Sequence, residues 1–227
     1  KAILLAAGQG SRMGETTKKI PKPLMKFYNT SILSRLVKQL ICRGIENINI
    51  IVGYMHELVI EEIESNFHTS NDITFTFNHD FKNDTNILST FLGVENISSQ
   101  DFAIFESDCI YSDAAIDQVT KSFDNLSSHW YTIGHFEKNQ NGGILLSNEN
   151  RDVLDIKIVP KYLNSYEDYK KLIGLLYVSS KQCNQFKRLL EESLNISSKQ
   201  YYLQPWIDHL ADLPCTEIPL IKGSSAA

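Results

Sequence analysis

Short, continuous apolar runs alternate with segments of helical periodicity along the first half of the chain. Residues 1–7, 47–54 and 101–108 read KAILLAA, NINIIVGY and DFAIFESD, which are typical of strands covered on both faces. Between them, residues 31–43 and 56–67 repeat apolar side chains at three- and four-residue steps, as amphipathic helices do. This alternation predicts an α/β fold with a mostly parallel sheet and helices on both faces.

After residue 125 the pattern loosens into shorter apolar runs. No linker or repeat interrupts the 227 residues, so the sequence predicts a single domain with two halves, residues 1–125 and 126–227. The second half is expected to extend the sheet and to cover its edge. Ligands of such sheets bind beyond the carboxyl ends of the strands, where Gly8 and Asp108 fall.

Composition argues against several functional classes. The formal net charge of −5 does not suit a general nucleic-acid-binding surface, and the apolar runs are too short to span a membrane. The first residues lack the basic segment and long apolar core of a signal peptide. The four cysteines are scattered, which argues against a zinc module or a disulfide framework and predicts a reducing cytoplasm.

A glycine-rich turn follows the first apolar run. Gly8, Gly10 and Gly14 give G-x-G-x-x-x-G, which fits neither the G-x-G-x-x-G dinucleotide fingerprint nor the Walker A loop. Glycines let backbone N–H groups approach phosphate oxygens closely. Arg12 stands just beyond, and Lys22 stands between two prolines. The planar guanidinium of Arg12 can donate two parallel hydrogen bonds and the ammonium of Lys22 is a compact charge, so the two residues can act on the same polyphosphate.

The combined motif, A-A-G-x-G-S-R followed by P-K-P-L, resembles the nucleotidyltransferase superfamily. Members couple a nucleoside triphosphate to a phosphorylated sugar or alcohol and release pyrophosphate. The resemblance implies a Rossmann-like nucleotidyltransferase fold with a small acceptor-binding extension. Residues 1–125 would bind the nucleotide, and residues 126–227 would bind the acceptor and form a cap. The motif residues are Ala6, Ala7, Gly8, Gly10, Ser11, Arg12, Pro21, Lys22, Pro23 and Leu24.

The resemblance also implies roles for these residues. Arg12 would stabilise the departing pyrophosphate, and Lys22 would act at the α-phosphorus, where negative charge builds during attack. These two are the predicted catalytic residues. The predicted nucleotide-binding set is Leu5, Ala6, Ala7, Gly8, Gln9, Gly10, Ser11, Arg12, Lys22, Asn86 and Ser89.

Two carboxylates end the apolar run at 101–108. Asp108 corresponds in the resembled family to an aspartate that holds Mg²⁺ against the α-phosphate, and Glu106 is expected to be its neighbour rather than a ligand. A structural alternative is that Asp108 caps the next helix. The family usually adds a second metal-binding aspartate near its C-terminus. The chain ends before such a residue, and Asp208 is a weak substitute.

The segment NDTNILST (83–90) distinguishes branches of the resembled family. It is more similar to the Asn-Asn-x-Tyr-Ser-Leu segment of phosphocholine cytidylyltransferase-like members than to the Gly-Thr/Ser-Ala turn of sugar-nucleotide members, although Leu88 stands where Tyr is common. Asn86 would then face the base or ribose of CTP, or serve as a helix N-cap. A sugar-1-phosphate nucleotidyltransferase and a catalytically idle nucleotide-binding subunit are the alternatives.

The acceptor is expected above the second half of the sheet. Lys157 would hold its phosphate or phosphonate, or lie on a strand surface. Trp206 would contact a cationic acceptor by cation–π attraction, or pack in the core. The sequence thus predicts a cytoplasmic, Mg²⁺-dependent transfer of CMP from CTP to phosphocholine, aminoethylphosphonate or a similar compound, for the decoration of surface glycans or a capsule. Nucleic acid and membranes are not expected as partners.

Overall fold

The computed structural model describes residues 1–10, 19–45, 47–67, 72–123 and 126–220, and the backbone of residues 225–226. The strands are β1 (Ala2–Ala6), β2 (Lys26–Phe27), β3 (Thr30–Ser31), β4 (Ile48–Val52), β5 (Ile73–Phe77), β6 (Phe102–Glu106), β7 (Ile110–Tyr111), β8 (Ser128–His135), β9 (Gly142–Ser147), β10 (Val153–Val159), β11 (Lys170–Val178), β12 (Cys215–Leu220) and β13 (Ser225–Ala226). The helices are α1 (Ile32–Ile41), α2 (His56–Asn66), α3 (Ile87–Val94), α4 (Asp113–Thr120), α5 (Ser180–Ile196) and α6 (Gln204–His209). Within the described residues, no helix is both long and apolar enough to cross a membrane.

Four parallel strands form the centre of the sheet, in the order β6-β1-β4-β5. β1 lies inside this group because its residues are apolar on both faces. Leu4, for example, lies between Ile50 of β4 and Phe105 of β6, and all three side chains are fully buried. Parallel strands end at the same edge of a sheet, so the turns after β1 and β6 are neighbours.

Helices cover both faces of this sheet. α1 follows Ser31, whose Oγ accepts the Ser34 amide at 3.0 Å, and it buries residues such as Leu36 against one face. α3 packs on the other face so closely that a Cβ at Gly93 would lie 2.6 Å from Ile3 Cγ2. The predicted α/β fold, with a mostly parallel central sheet and helices on both faces, is confirmed.

β11 joins the second half of the chain to the parallel strands. Its residues 175–178 pair antiparallel with β6, while Lys170 and Lys171 pair with β9. β8 pairs along β11 as well, and β12 is parallel to β8. β9 and β10 form an antiparallel hairpin, which we call the arm. The sheet therefore forks at β11, with the parallel core on one branch and the arm on the other.

Glu217 on β12 is a buried carboxylate whose side chain is 0% exposed. Thr132 donates to its Oε1 at 2.5 Å, and Ser147 and Lys170 each donate to its Oε2 at 2.5 Å. Burial alone would raise the pKa of Glu217, but the hydrogen bonds and the charge of Lys170 outweigh it and lower the pKa. Folding therefore stabilises the charged form.

We expect Glu217→Gln to lower the free energy of unfolding near neutral pH by about 3 kcal/mol, because Lys170 loses its buried partner. The pKa of Glu217 is lower in the folded than in the unfolded chain. Its stabilisation is therefore complete above the unfolded value and is lost as the pH falls through the folded value. Urea unfolding at a series of pH values should show the difference between variant and wild type shrinking as the pH falls through the folded pKa of Glu217. Glu64→Gln, on the exposed surface of α2, is the control, and a pH-independent difference would contradict the prediction.

Candidate functional site

A lysine and an aspartate meet at the carboxyl edge of the parallel strands. Asp108 lies in the turn that follows β6, and Lys22 Nζ donates to its Oδ2 at 2.6 Å. Each side chain is 35% exposed, so the contact is open to solvent. Both residues were predicted for the site from the sequence, and the structure brings them together.

A short 3-10 turn, Lys22–Leu24, fixes the direction of Lys22. Pro21 precedes it with φ −63°, Pro23 is buried, and the Leu24 amide donates to Pro21 O at 2.9 Å. Proline restricts its own φ and the conformation of the residue before it, so the backbone on both sides of Lys22 has little freedom. The Pro-Lys-Pro sequence therefore presents the ammonium to Asp108 from a rigid turn.

The turn after β1 is described as far as Gly10. Ala6 and Ala7 are buried, so a ligand at the surface of this turn would meet backbone there rather than their methyl groups. Gly8 is exposed with nothing within 4 Å of a would-be Cβ, and Gly10 has φ +61°, a conformation that favours glycine. Leu5 and Gln9, which were also predicted to bind the nucleotide, are half-buried. Ser11 and Arg12 lie outside the described residues, and their roles stay predictions.

An acidic cluster lies beside Lys22, made by Glu106, Asp108 and Cys109. One ligand atom from each, a carboxylate oxygen or the thiol sulfur, lies within 4.8 Å of the others. Burial, and after it the charge of Asp108, raises the pKa of Glu106 to about 7. Burial also raises the pKa of the Cys109 thiol, which stays protonated at neutral pH. The two carboxylates therefore repel each other unless a proton or a cation intervenes.

Gly174 on β11 makes room for the Glu106 carboxyl group. Its φ is +69°, and a Cβ there would lie 2.6 Å from both Cδ and Oε2 of Glu106. A side chain at this position could not coexist with the carboxylate in its present place. Glu106 was expected from the sequence only as a neighbour of Asp108, and the structure places its carboxylate in the same cluster.

A cleft of about 570 Å³ includes this cluster in its wall. Lys171 adds a second ammonium group to the wall of the cleft. The sequence did not predict this residue, because the pattern of a strand does not distinguish a lysine that faces a cleft from one that faces solvent. Tyr201 and Tyr202 were missed for a similar reason, since tyrosines are common in cores. The lining residues used below are Lys22, Glu106, Asp108, Gly142, Gly143, Lys171, Leu172 and Gly174.

Asn86 and Ser89 lie at the start of α3. Asn86 Oδ1 accepts the Tyr202 amide at 2.9 Å and so supports a segment that lines the cleft. Ser89 is 4% exposed, and its Oγ donates to Asp84 Oδ2 at 2.6 Å. Asp84, rather than the Asn86 side chain, caps α3 by accepting the amides of Leu88 and Ser89. Direct contact of Asn86 and Ser89 with a nucleotide stays a prediction.

The two predicted acceptor-binding residues are not among the described residues that line the cleft. Lys157 forms an ion pair with Asp155 and donates to the Tyr169 hydroxyl at 3.2 Å. Trp206 is 0% exposed and packs edge-on against Trp130, with ring centroids 5.3 Å apart. Trp206 therefore lies in the core, and Lys157 is not among the described residues of the cleft wall. A role of either residue in acceptor binding stays a prediction.

Residues 1–160 match the model of a protein family described as Nucleotidyl transferase. The choline-phosphate cytidylyltransferase of Haemophilus influenzae is 30% identical over 193 residues, covering 84% of this chain and 74% of that protein. The 2-aminoethylphosphonate cytidylyltransferase of Lancefieldella rimae is 31% identical over 121 residues, covering 53% of this chain and 48% of that protein.

A solved structure supports the same fold. The CTP:phosphocholine cytidylyltransferase of Streptococcus pneumoniae superposes with a TM-score of 0.79 at 19% identity, covering 99% of this chain and 91% of that one. Among the curated relatives that match, the matched region spans 36%, 48% and 19% of the relative's own length in three cases.

We expect Gly174→Ala to destabilise the chain more than Gly134→Ala does. Both glycines have positive φ, +69° and +60°, and so carry a similar backbone penalty for alanine. Only at Gly174 would the added methyl group meet Glu106, since nothing lies within 4 Å of a Cβ at Gly134. The excess loss in urea unfolding should be about 1–3 kcal/mol. Equal losses in the two variants would mean that Gly174 does not shape the cluster.

Proposed function

This chain belongs to the nucleotidyl transferase family, and we propose that it transfers CMP from CTP to a small phosphorylated or phosphonate acceptor, with release of pyrophosphate. The family resemblance predicted from the opening motif is confirmed. The activity is supported above all by the contact of Lys22 with Asp108 in the wall of the cleft. A fixed cation beside a carboxylate suits a reaction in which a phosphate is attacked while its charge is neutralised.

Two similarities support CTP as the nucleotide and an acceptor that carries a cationic nitrogen. The segment 83–90 is similar to that of phosphocholine cytidylyltransferase-like members, and two relatives are named for choline phosphate and 2-aminoethylphosphonate. The cleft also carries a cation, Lys171, apart from the acidic cluster, which suits the anionic group of such an acceptor. As the sequence predicted, we place the reaction in the cytoplasm, in the supply of precursors for surface glycans or a capsule.

The acidic cluster fits a divalent cation. Asp108 and Glu106 offer carboxylate oxygens within 4.8 Å of each other, and Mg²⁺ prefers oxygen ligands. The raised pKa of Glu106 reflects in part its repulsion by Asp108, which a cation would relieve. The protonated Cys109 thiol is a soft donor and does not suit Mg²⁺. When bound by these carboxylates, Mg²⁺ would polarise the α-phosphate as a Lewis acid.

The residues of the chain position the reactants for an in-line displacement. Backbone amides of the turn after β1 approach the triphosphate, and Lys22 neutralises charge on the α-phosphate oxygens. An acceptor oxygen forms a bond to the α-phosphorus while the bond from that phosphorus to the bridging oxygen breaks. The bonding electron pair leaves with pyrophosphate. The reaction needs no protein nucleophile, because positioning and charge neutralisation lower the barrier.

Pyrophosphate release tests the proposal. The full chain would be assayed with Mg²⁺ and each of the four common ribonucleoside triphosphates, against phosphocholine, 2-aminoethylphosphonate and hexose 1-phosphates. We expect turnover with CTP and either phosphocholine or 2-aminoethylphosphonate. Turnover with hexose 1-phosphates alone would instead indicate a sugar-1-phosphate nucleotidyltransferase. Nucleotide binding without turnover would indicate an idle nucleotide-binding subunit.

We expect Lys22→Met to lower kcat by about 100-fold or more while changing the KM for CTP only a few-fold, because the charge matters most in the transition state. Steady-state kinetics measures both constants. The matched control is Lys26→Met, because Lys26 is an exposed lysine on β2, four residues after Lys22. A raised KM with normal kcat would assign Lys22 to ground-state binding only.

We expect Asp108→Asn to weaken metal binding, because it removes the more exposed carboxylate of the cluster. Mn²⁺ binding followed by electron paramagnetic resonance provides a readout independent of turnover, and pyrophosphate release provides the second. Asp168→Asn, an exposed aspartate ahead of β11, is the control. Unchanged Mn²⁺ affinity in Asp108→Asn would place the metal elsewhere.

A further inference from the structure

Lys171 is a cation in the cleft to which the mechanism above gives no role. It lies on β11 where that strand pairs with the arm. Its Nζ donates to the main-chain oxygens of Leu172 at 2.8 Å and Gly143 at 3.2 Å. These two hydrogen bonds hold the ammonium at the junction between β11 and the arm.

The described residues provide hydrogen-bond acceptors for two of the three N–H donors of Lys171, and they provide no ion-pair partner for its charge. An ammonium group has three N–H donors, and the two carbonyl oxygens take two of them. No carboxylate oxygen of the described residues lies within 4.0 Å of this Nζ. Burial lowers the pKa of Lys171, although the charge of Glu106 acts in the opposite direction. A partly buried ammonium without an ion pair is unfavourable unless an anion completes the site.

Two glycines keep the space around this ammonium open. Gly142 has φ +94°, and a Cβ there would lie 3.5 Å from Lys171 Nζ. A Cβ at Gly143 would lie 3.1 Å from side-chain atoms of Leu172 and of Leu203. Larger residues at either position would crowd the wall of the cleft beside the ammonium. The arm therefore contributes backbone and space at this point.

We propose that Lys171 binds the phosphate or phosphonate group of the acceptor. This inference rests on the proposed function, which requires an acceptor anion next to the α-phosphate held at Lys22 and Asp108. The free donor of Lys171 would bind one acceptor oxygen and leave another to attack the α-phosphorus. Lys171 would thus take the role that the sequence predicted for Lys157, whose ammonium is paired with Asp155 outside the cleft.

Lys171→Gln is the most informative variant. The glutamine amide can still donate hydrogen bonds to neighbouring carbonyls, but it carries no charge, so structural contacts and anion binding are separated. With CTP, Mg²⁺ and either phosphocholine or 2-aminoethylphosphonate, we expect the KM for the acceptor to rise about tenfold or more. The KM for CTP should stay within about twofold, because the proposal places CTP at Lys22 and Asp108 rather than at this ammonium. Lys171→Arg, which keeps the charge, should restore part of the acceptor affinity.

Two further variants complete the experiment. Lys181→Met, an exposed lysine on α5, should leave both KM values unchanged, and Lys157→Met tests the competing residue. Thermal unfolding of each variant reports whether it is folded, and Lys171→Met replaces the glutamine variant if that one is not.

Three results would overturn the inference. The first is an unchanged KM for the acceptor in Lys171→Gln, and the second is a rise confined to the KM for CTP. The third is a rise in the KM for the acceptor in Lys157→Met alone. Failure of the proposed function is distinguishable from these results, because the wild-type chain would then release no pyrophosphate with CTP and either phosphocholine or 2-aminoethylphosphonate.

Discussion

The contact between Lys22 and Asp108 joins positions 86 residues apart, and it depends on the parallel pairing of β1 with β6. Parallel neighbours end at the same edge of the sheet, so the turn after β6 lies beside the turn after β1. An antiparallel neighbour would have carried Asp108 to the opposite edge. The apolar residues that hold β1 and β6 inside the sheet are therefore a condition for the site as well as for stability.

The parallel half of the molecule could be predicted because its local patterns and its topology agree. Apolar runs marked β1, β4 and β6, and helical periodicity marked α1 and α2. The rule that such strands pair in parallel then placed Gly8 and Asp108 at one edge. Lys22 could be predicted as a site residue from its motif, in which the flanking prolines restrict the backbone on both sides of the lysine.

The second half of the chain could not be predicted in the same way, because most of its strand pairs are antiparallel and two of them have an irregular register. The pairing of β11 with β8 shifts at two places, so side-chain alternation does not reveal which residues face the cleft. Lys157 and Lys171 are both lysines in strands that pair with β9, so the sequence pattern does not distinguish them. In the structure, Lys171 lines the cleft, whereas Lys157 forms an ion pair with Asp155. Trp206 shows the same difficulty, since an aromatic residue on a short helix suits a ligand pocket and a core equally well.

The fork at β11 has a consequence for how such an enzyme can change over evolution. Residues 175–178 tie β11 to the parallel core, whereas the arm pairs with β11 only through Lys170 and Lys171 among the described residues. Substitutions in the arm can therefore reshape one wall of the cleft without altering the register of β1, β4 and β6. The fold thus separates the strands that position the contact of Lys22 with Asp108 from an attached hairpin that forms part of the cleft wall. If the proposed function holds, acceptor preference could change through the arm while the pairing behind that contact stays the same.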